Sequence, residues 1–489
     1  MTPTATNGSP RGWRNEQSVR RASVALIGLV ALLGSLANAA KVPLFNSADE
    51  TGHFDYAYQI WHHQLPDFWA GPVVSQAHGA AMPVQWVSQH PPLFYAVLSP
   101  IIGPLTDANH MLIAGMLARG VNCVIGALVA LAVYWGLTKA FPNNPALAAT
   151  GGLIAAASPW LHNVSGAIYN DPLAILFTTI AIGIAVGAVR SGPGRWTWLA
   201  MAAVACGAFL TRLTAGIVVV VAVGLLVLEG MVHGKERDRL GRWTSLAYAG
   251  ACGVGVLATS GWFYLRNIRL TGTVTGGHPE WSQTHLGRET RPVSELVTES
   301  STWKSMLNLF SPSIASGWSA ISFILLMLLP LILAVLLLAI TTLRGGVRWD
   351  SAAVGSSMFL LAAVVLVMQL QYTAGGGGVN PRYFLPVVLP VAAGIGYGLT
   401  GNKYLGSVLL PGWVAFWAWV GVDWFRSSNT ALRSDYPTLP NVATVLFVAM
   451  LVCAVLATVC CVRLMWRNTT TFAEETQSRA PQHLKAAVR

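Results

Sequence analysis

Four side chains able to move protons or hold ions crowd into positions 49–55 of a chain that otherwise avoids charge. They are Asp49, Glu50, His53 and Asp55, in NSADETGHFDYAYQIWHHQL (46–65). A carboxylate beside hydrocarbon is costly unless it faces water or acts on something. Either Asp49 or Glu50 fits a general base that takes a proton from an acceptor hydroxyl. His53 follows Asp49 by four residues, so on a helix the two share a face, and His53 becomes a candidate substrate contact. Two ligands do not make a metal site, so neither a metal nor another cofactor is expected. A plainer role competes: Ser47 or Asn46 caps a helix, and acids in its first turn complement the macrodipole.

Other candidates are scattered along the chain. Asp171 stands in SGAIYNDPLAIL (165–176), before Pro172, which suits a first helical position. Capping explains it as well as chemistry does. Its expected place on the same membrane face as Asp49 suggests an acid/base or substrate-hydroxyl pair. Arg266 and Arg269 lie in GWFYLRNIRLTGTVTG (261–276), and Arg382 with Tyr383 in GGGGVNPRYFLPVVLP (375–390). Arginine at an outer membrane edge opposes the usual orientation bias. A phosphate is the anion that would hold it there, and the guanidinium fork matches it; snorkelling to headgroups is the alternative. In QHPPLFYAVLSP (89–100) two prolines set an extended turn, and His90 either faces the site or ends the turn. No Gly-rich nucleotide loop, Ser-His-Asp order or HExxH is present, which argues against a nucleotide donor or an ATP-driven pump.

The elements that must position these residues are membrane spans. Of the 489 residues 54% are hydrophobic and 10% charged, with mean hydropathy +0.55, against about 25% charged in soluble domains. At about 20 residues per span, twelve apolar runs emerge: 23–42, 110–138, 146–164, 172–189, 196–211, 213–231, 243–264, 319–342, 351–370, 383–400, 404–422 and 441–462. The division at Thr211-Arg212 is the least marked. With the N-terminus in the cytoplasm, the segments assigned inside hold nineteen of the thirty Lys and Arg, as the positive-inside bias requires. That bias explains the +11 net charge without nucleic acid. It divides the chain into a basic cytoplasmic tail (1–22), an all-α polytopic domain (23–462) and a cytoplasmic tail (463–489), disordered from about 468. The first run reads as a retained anchor. External loops at about 43–109 and 265–318 are long enough to carry function. In the first, Phe54, Tyr58, Trp61 and Leu65 recur with helical spacing, as in an interfacial helix. The six cysteines lie in apolar runs with no ligand spacing.

SADETGHFDYA after the first span, QHPPLFY, YNDPLA, WFYLRNIRLTGTVTG and NPRYFLPVVLP together resemble the GT-C superfamily of membrane glycosyltransferases. That superfamily includes protein O-mannosyltransferases and aminoarabinose transferases, and the likeness is strongest to a bacterial branch. The resemblance runs through nearly the whole chain, and it lies in the order and common side of the motifs rather than in any one of them. It implies a GT-C-like fold of about 12 helices and a sugar donor on polyprenyl phosphate, presented at the external face of the plasma membrane. It implies a glycan, lipid or protein acceptor, Asp49 as base, Asp171 as second acid and Arg382 holding the leaving phosphate. The RN segment supplies Arg266 and Asn267 as donor contacts. Thr273 stands where relatives often carry an acid, so no acidic role is expected there. With no large external domain after the last span, acceptor recognition falls to the two long loops.

The expected reaction is a one-step, inverting displacement at the anomeric carbon. Two rival readings remain open. A transporter or flippase of lipid-linked glycans would show related halves and midplane sites. An oligosaccharide polymerase or ligase would use His278, His285, Arg288 and Arg291 of the second loop.

Overall fold

The computed structural model describes residues 10–74, 83–233, 241–313, 316–344, 349–427 and 437–478. Most of the basic run 233–242 and the end of the C-terminal tail therefore lie outside the described residues. The chain is all helical. The first half comprises α1 (Pro10–Lys41), α2 (Ala48–Trp61), α3 (Leu93–Asp107), α4 (Met111–Ala140), α5 (Pro145–Ala156), α6 (Pro159–Ser165), α7 (Asp171–Ser191), α8 (Arg195–Phe209) and α9 (Leu213–His233). Next come α10 (Arg242–Thr271), the short α11 (Pro279–Leu286), α12 (Val293–Thr298) and α13 (Ser300–Leu307), then α14 (Ser319–Ser322), continued through a π-helical turn into α15 (Leu329–Leu343). The last elements are α16 (Trp349–Ala374), a 3-10 stretch over Pro381–Val387, α17 (Val388–Thr400), α18 (Lys403–Ser427) and α19 (Pro440–Ser478).

Among the described residues ten helices are long and apolar enough to cross a membrane, so the chain is a multi-pass membrane protein. Two of the twelve expected runs do not form helices of that length. The run 146–164 breaks between α5 and α6, because Pro159 has no N–H to continue the ladder and Ser158 caps the new helix through Leu161 N–H. The run 196–211 becomes α8, whose 15 residues reach about 22 Å at 1.5 Å each, short of a core of about 30 Å. All twelve residues of α5 are buried, and it packs against α1, α4, α17 and α19. At the ends, α1 already begins at Pro10 and α19 continues to Ser478.

The first long loop folds into α2, a 3-10 turn over Trp86–Gln89 and α3. α2 lies against α3. Its Phe54 is fully buried, edge-on to Phe45 at 5.0 Å, while Tyr58 and Trp61 donate to Asp107 at 2.8 and 3.1 Å. Leu65 falls beyond the helix. Asp55 is buried and accepts from the Val73 and Val74 N–H groups and the Gln59 and Gln85 amides at 2.5–3.0 Å. It thereby fastens the far side of the loop to α2.

One ion pair fixes where α2 starts. Arg119, inside α4, sends Nε and Nη2 to the two oxygens of Glu50, both at 2.7 Å. Its remaining N–H groups go to the carbonyls of Ala39, Val42 and Pro43 at 2.7–3.0 Å. Glu50 also accepts the N–H groups of Phe45 and Ile168 at 3.0 Å each. Both side chains are about fully buried, at 1% and 2% exposure. The Phe45 bond holds a left-handed backbone, φ 61, that a bulky residue adopts only under constraint.

Removing one partner of such a pair strands the other charge. Arg119→Met is expected to destabilise the protein by about 3–5 kcal/mol, read as a large drop in melting temperature in detergent. A variant melting like the wild type would show that the pair does not hold α2.

Candidate active site

Asp49 sits in the first turn of α2, whose cap Ser47 accepts the Glu50 N–H at 3.3 Å. Its neighbour Glu50 is consumed by Arg119, but Asp49 projects the other way. Oδ1 accepts the Trp86 indole N–H at 3.0 Å, and Oδ2 accepts Arg382 Nη2 at 2.9 Å. About a third of the Asp49 side chain, 32%, remains exposed.

Arg382 enters at the head of the stretch Pro381–Val387, where Asn380 Oδ1 caps its backbone N–H at 2.9 Å. Its guanidinium lies over the rings of Tyr169 and Tyr383, at 5.3 and 4.8 Å, and also donates to the Tyr383 hydroxyl at 2.8 Å. Its Nε is buried with no hydrogen-bond partner among the described residues. Tyr169 is itself tied to Ser47 Oγ at 2.6 Å. Asp171, opening α7, is ion-paired with Arg212. Arg212 comes from the break between α8 and α9 and stacks on the other guanidinium's partner, Tyr383, at 5.6 Å. Two carboxylate–guanidinium pairs thus lie side by side, both guanidiniums facing the ring of Tyr383.

The histidines complete the wall. His53, on the turn of α2 after Asp49, shares a hydrogen bond between Nδ1 and the Tyr95 hydroxyl at 2.9 Å and stacks parallel to His90 at 6.0 Å. Burial pushes His53 down to about 4, although the charges of Asp49 and Asp171 oppose it. Burial likewise holds His90 well below its ordinary range. Both rings are therefore neutral at neutral pH. Asp49 behaves oppositely. Burial raises its carboxyl, but Arg382, His53 and the Trp86 N–H outweigh that and keep it below the usual carboxylate range. Asp55, buried without a cation, is pushed upward. One sequence cluster thus contains acids driven apart by environment, the pattern that separates a working carboxylate from a structural one.

Of the residues singled out from sequence, Asp49, His53, His90, Asp171, Arg382 and Tyr383 converge. Glu50 does not join them, because its ion pair and two backbone bonds occupy it. Arg266 donates to the Pro66 carbonyl at 2.7 Å, and Asn267 to the carbonyls of Gln89 and Val274 at 3.3 Å. These two tie the second loop to the first and do not touch the acids. Arg212, Trp86 and Tyr169 were missed. A charge wedged between two apolar runs is itself a functional signal, and Arg212 carried it. Among the described residues no group of three or more His, Cys, Asp or Glu is placed to hold a metal ion.

No protein-family model matches the chain, and no curated protein matches it. Among solved structures it is similar to ArnT from Cupriavidus metallidurans bound to undecaprenyl phosphate, at 17% identity and a TM-score of 0.48, over 97% of this chain and 80% of that one. It is also similar to the Archaeoglobus fulgidus oligosaccharyltransferase tethered with an acceptor peptide, at 11% identity and a TM-score of 0.44. That match covers 90% of this chain and 55% of the other.

The depressed His53 makes the site sensitive to acid. Unfolded, this histidine protonates near its ordinary 6.5; folded, it stays neutral to about 4. Between these values the unfolded chain binds the extra proton, so stability rises with pH and is lost as pH falls through the window. The limiting slope is about 1.4 kcal/mol per pH unit. His53→Asn is expected to flatten the fall in melting temperature across that window. An equally steep fall would remove His53 as its source.

Proposed function

We propose that the chain transfers a sugar from a polyprenyl-phosphate donor to an acceptor hydroxyl at the external face of the membrane, with inversion. The observation that supports this most directly is Asp49: an ionised, part-exposed carboxylate held against a guanidinium that still has an unused, buried N–H. A base and an anion clamp sit side by side. The external placement rests on the charge bias of the loops, and the donor class on the motif resemblance together with the two guanidiniums, Arg382 and Arg212, paired with Asp49 and Asp171.

In the reaction the acceptor oxygen attacks the anomeric carbon. Its proton passes to Asp49, the new C–O bond forms, and the bond to the phosphate oxygen breaks with its electron pair leaving on polyprenyl phosphate. Charge on the leaving group grows toward Arg382, whose Nε gains a partner, and toward Arg212. Donors fixed before the reaction stabilise such charge without reorganising. A buried unpaired donor costs about 1–3 kcal/mol, and binding of the donor phosphate relieves that cost. Phosphate needs no proton to depart, so no general acid is assigned. Asp171 keeps Arg212 oriented and the two neutral histidines avoid adding positive charge that would hold the product. Glu50 is assigned to structure.

Asp49→Asn keeps the shape and removes the base. With purified protein and synthetic polyprenyl-phosphate sugars, kcat should fall about 10²–10⁴-fold with little change in donor KM. Unchanged transfer would sink the assignment. Arg382→Lys keeps the charge but loses the planar fork. It should raise donor KM and lower kcat together, whereas an effect on neither would detach Arg382 from the phosphate.

A further inference from the structure

Beside Asp49 lies a group of rings that the transfer step does not use. Trp86, whose indole N–H holds Asp49, lies 6.2 Å from Trp281 of α11. Phe68 packs edge-on to Trp281 at 5.8 Å and stacks face to face with His278 at 3.7 Å. Trp69, 64% exposed, meets His278 at 5.3 Å. At the other end His285 lies flat on Trp281, 4.8 Å away with planes 7° apart. The two long loops build this surface jointly: Phe68, Trp69 and Trp86 of the first meet His278 and Trp281 of the second, and Arg266 reaches Pro66. Phe68 and Trp281 are buried as its floor, while Trp69 and His285 stand exposed as its faces.

We infer that this surface is the acceptor subsite and that it takes a neutral sugar ring, so the acceptor is a glycan. The inference rests on the transferase reading above and names its acceptor. A pyranose presents an apolar C–H face with hydroxyls around its edge. Exposed aromatic faces match the first, since a ring's negative face attracts weakly positive C–H groups. The second needs groups that donate and accept. His278 has no hydrogen bond from either ring nitrogen among the described residues. His285 uses Nδ1 on Thr284 and the Trp281 carbonyl, which leaves Nε2 open. Asp67 spends Oδ1 on the N–H groups of Trp69 and Ala70, and Oδ2 stays available. Burial lowers the His278 ring below its ordinary range, which keeps it neutral and able both to donate and to accept.

Other occupants fit less well. An anionic headgroup would require a cation among the rings, yet the residues that form them include no Lys or Arg. A peptide laid as a strand needs an open sheet edge, and there is no strand among the described residues. Position supplies the remaining argument. A sugar stacked here would have Trp86 beneath it and Asp49 one side chain away, which brings a ring hydroxyl to the base.

The test titrates the full chain, in nanodiscs, with short neutral gluco-, manno-, galacto- and xylo-oligosaccharides, followed by saturation-transfer NMR. At least one series should bind saturably. Trp69→Ala, at an exposed position that the fold tolerates, should weaken binding about tenfold, and Trp69→Tyr should restore most of it. Absence of binding by every series, or unchanged affinity in Trp69→Ala, would overturn the proposal. So would quenching of Trp69 by brominated lipid that no sugar relieves, because the rings would then be a membrane belt. Asp49→Asn should bind the same sugars normally. Sugar binding by a wild type that transfers nothing would retain the subsite and remove the transferase reading. Transfer with unaltered acceptor KM in Trp69→Ala would do the reverse.

Discussion

The Glu50–Arg119 pair is the constraint on which the rest of the site depends. A buried ion pair is worth having only when every donor and acceptor is used, since desolvating both charges otherwise costs more than their attraction returns. Here all five guanidinium N–H groups and both carboxylate oxygens are engaged. The partners come from the end of α1, the turn after it, the start of α2, the middle of α4 and the approach to α7. A single interaction therefore sets the relative position of four helices. It also decides which of two adjacent acids remains available: with Glu50 turned inward, the helix carries Asp49 to the opposite side.

The cluster around Asp49 is balanced rather than simply charged. Asp49 pairs with Arg382 and Asp171 with Arg212, and Tyr383 lies against both guanidiniums. Low dielectric strengthens these contacts and makes each expensive to break. The geometry is thus fixed before any ligand arrives. Arg382 spends only Nη2 on Asp49 and Tyr383, so under the proposed reaction a phosphate would need no rearrangement of the acids. On the same reading the neutral histidines limit the positive field that would hold an anionic product.

Much of this was legible in the sequence, for reasons that can be named. Length and hydropathy reveal spans, and all the long ones were found where expected. The two exceptions depend on Pro159 and on a helix that stops at Phe209, where a hydropathy window sees only continuous apolar character. Asp49, Asp171 and Arg382 stood out because charge is rare here and their sides of the membrane agreed. Glu50 was indistinguishable from Asp49 because the residue that separates them, Arg119, lies 69 positions away inside an apolar run. Arg212 was read only as an interruption between helices. Trp86 carried no signal, since its role arises from one hydrogen bond between distant turns.

The short helix α5 bears on how the protein is made. Twelve residues span about 18 Å, too little to cover the hydrocarbon, and exposed helix ends in lipid leave backbone groups unsatisfied. Its surroundings include α17 and α19, which emerge from the ribosome well after it. Until they are synthesised α5 is walled only by α1 and α4. The packing around α5 is therefore complete only when α17 and α19 have been inserted. Shortening the C-terminal helices should damage the site from a distance, through the order of assembly.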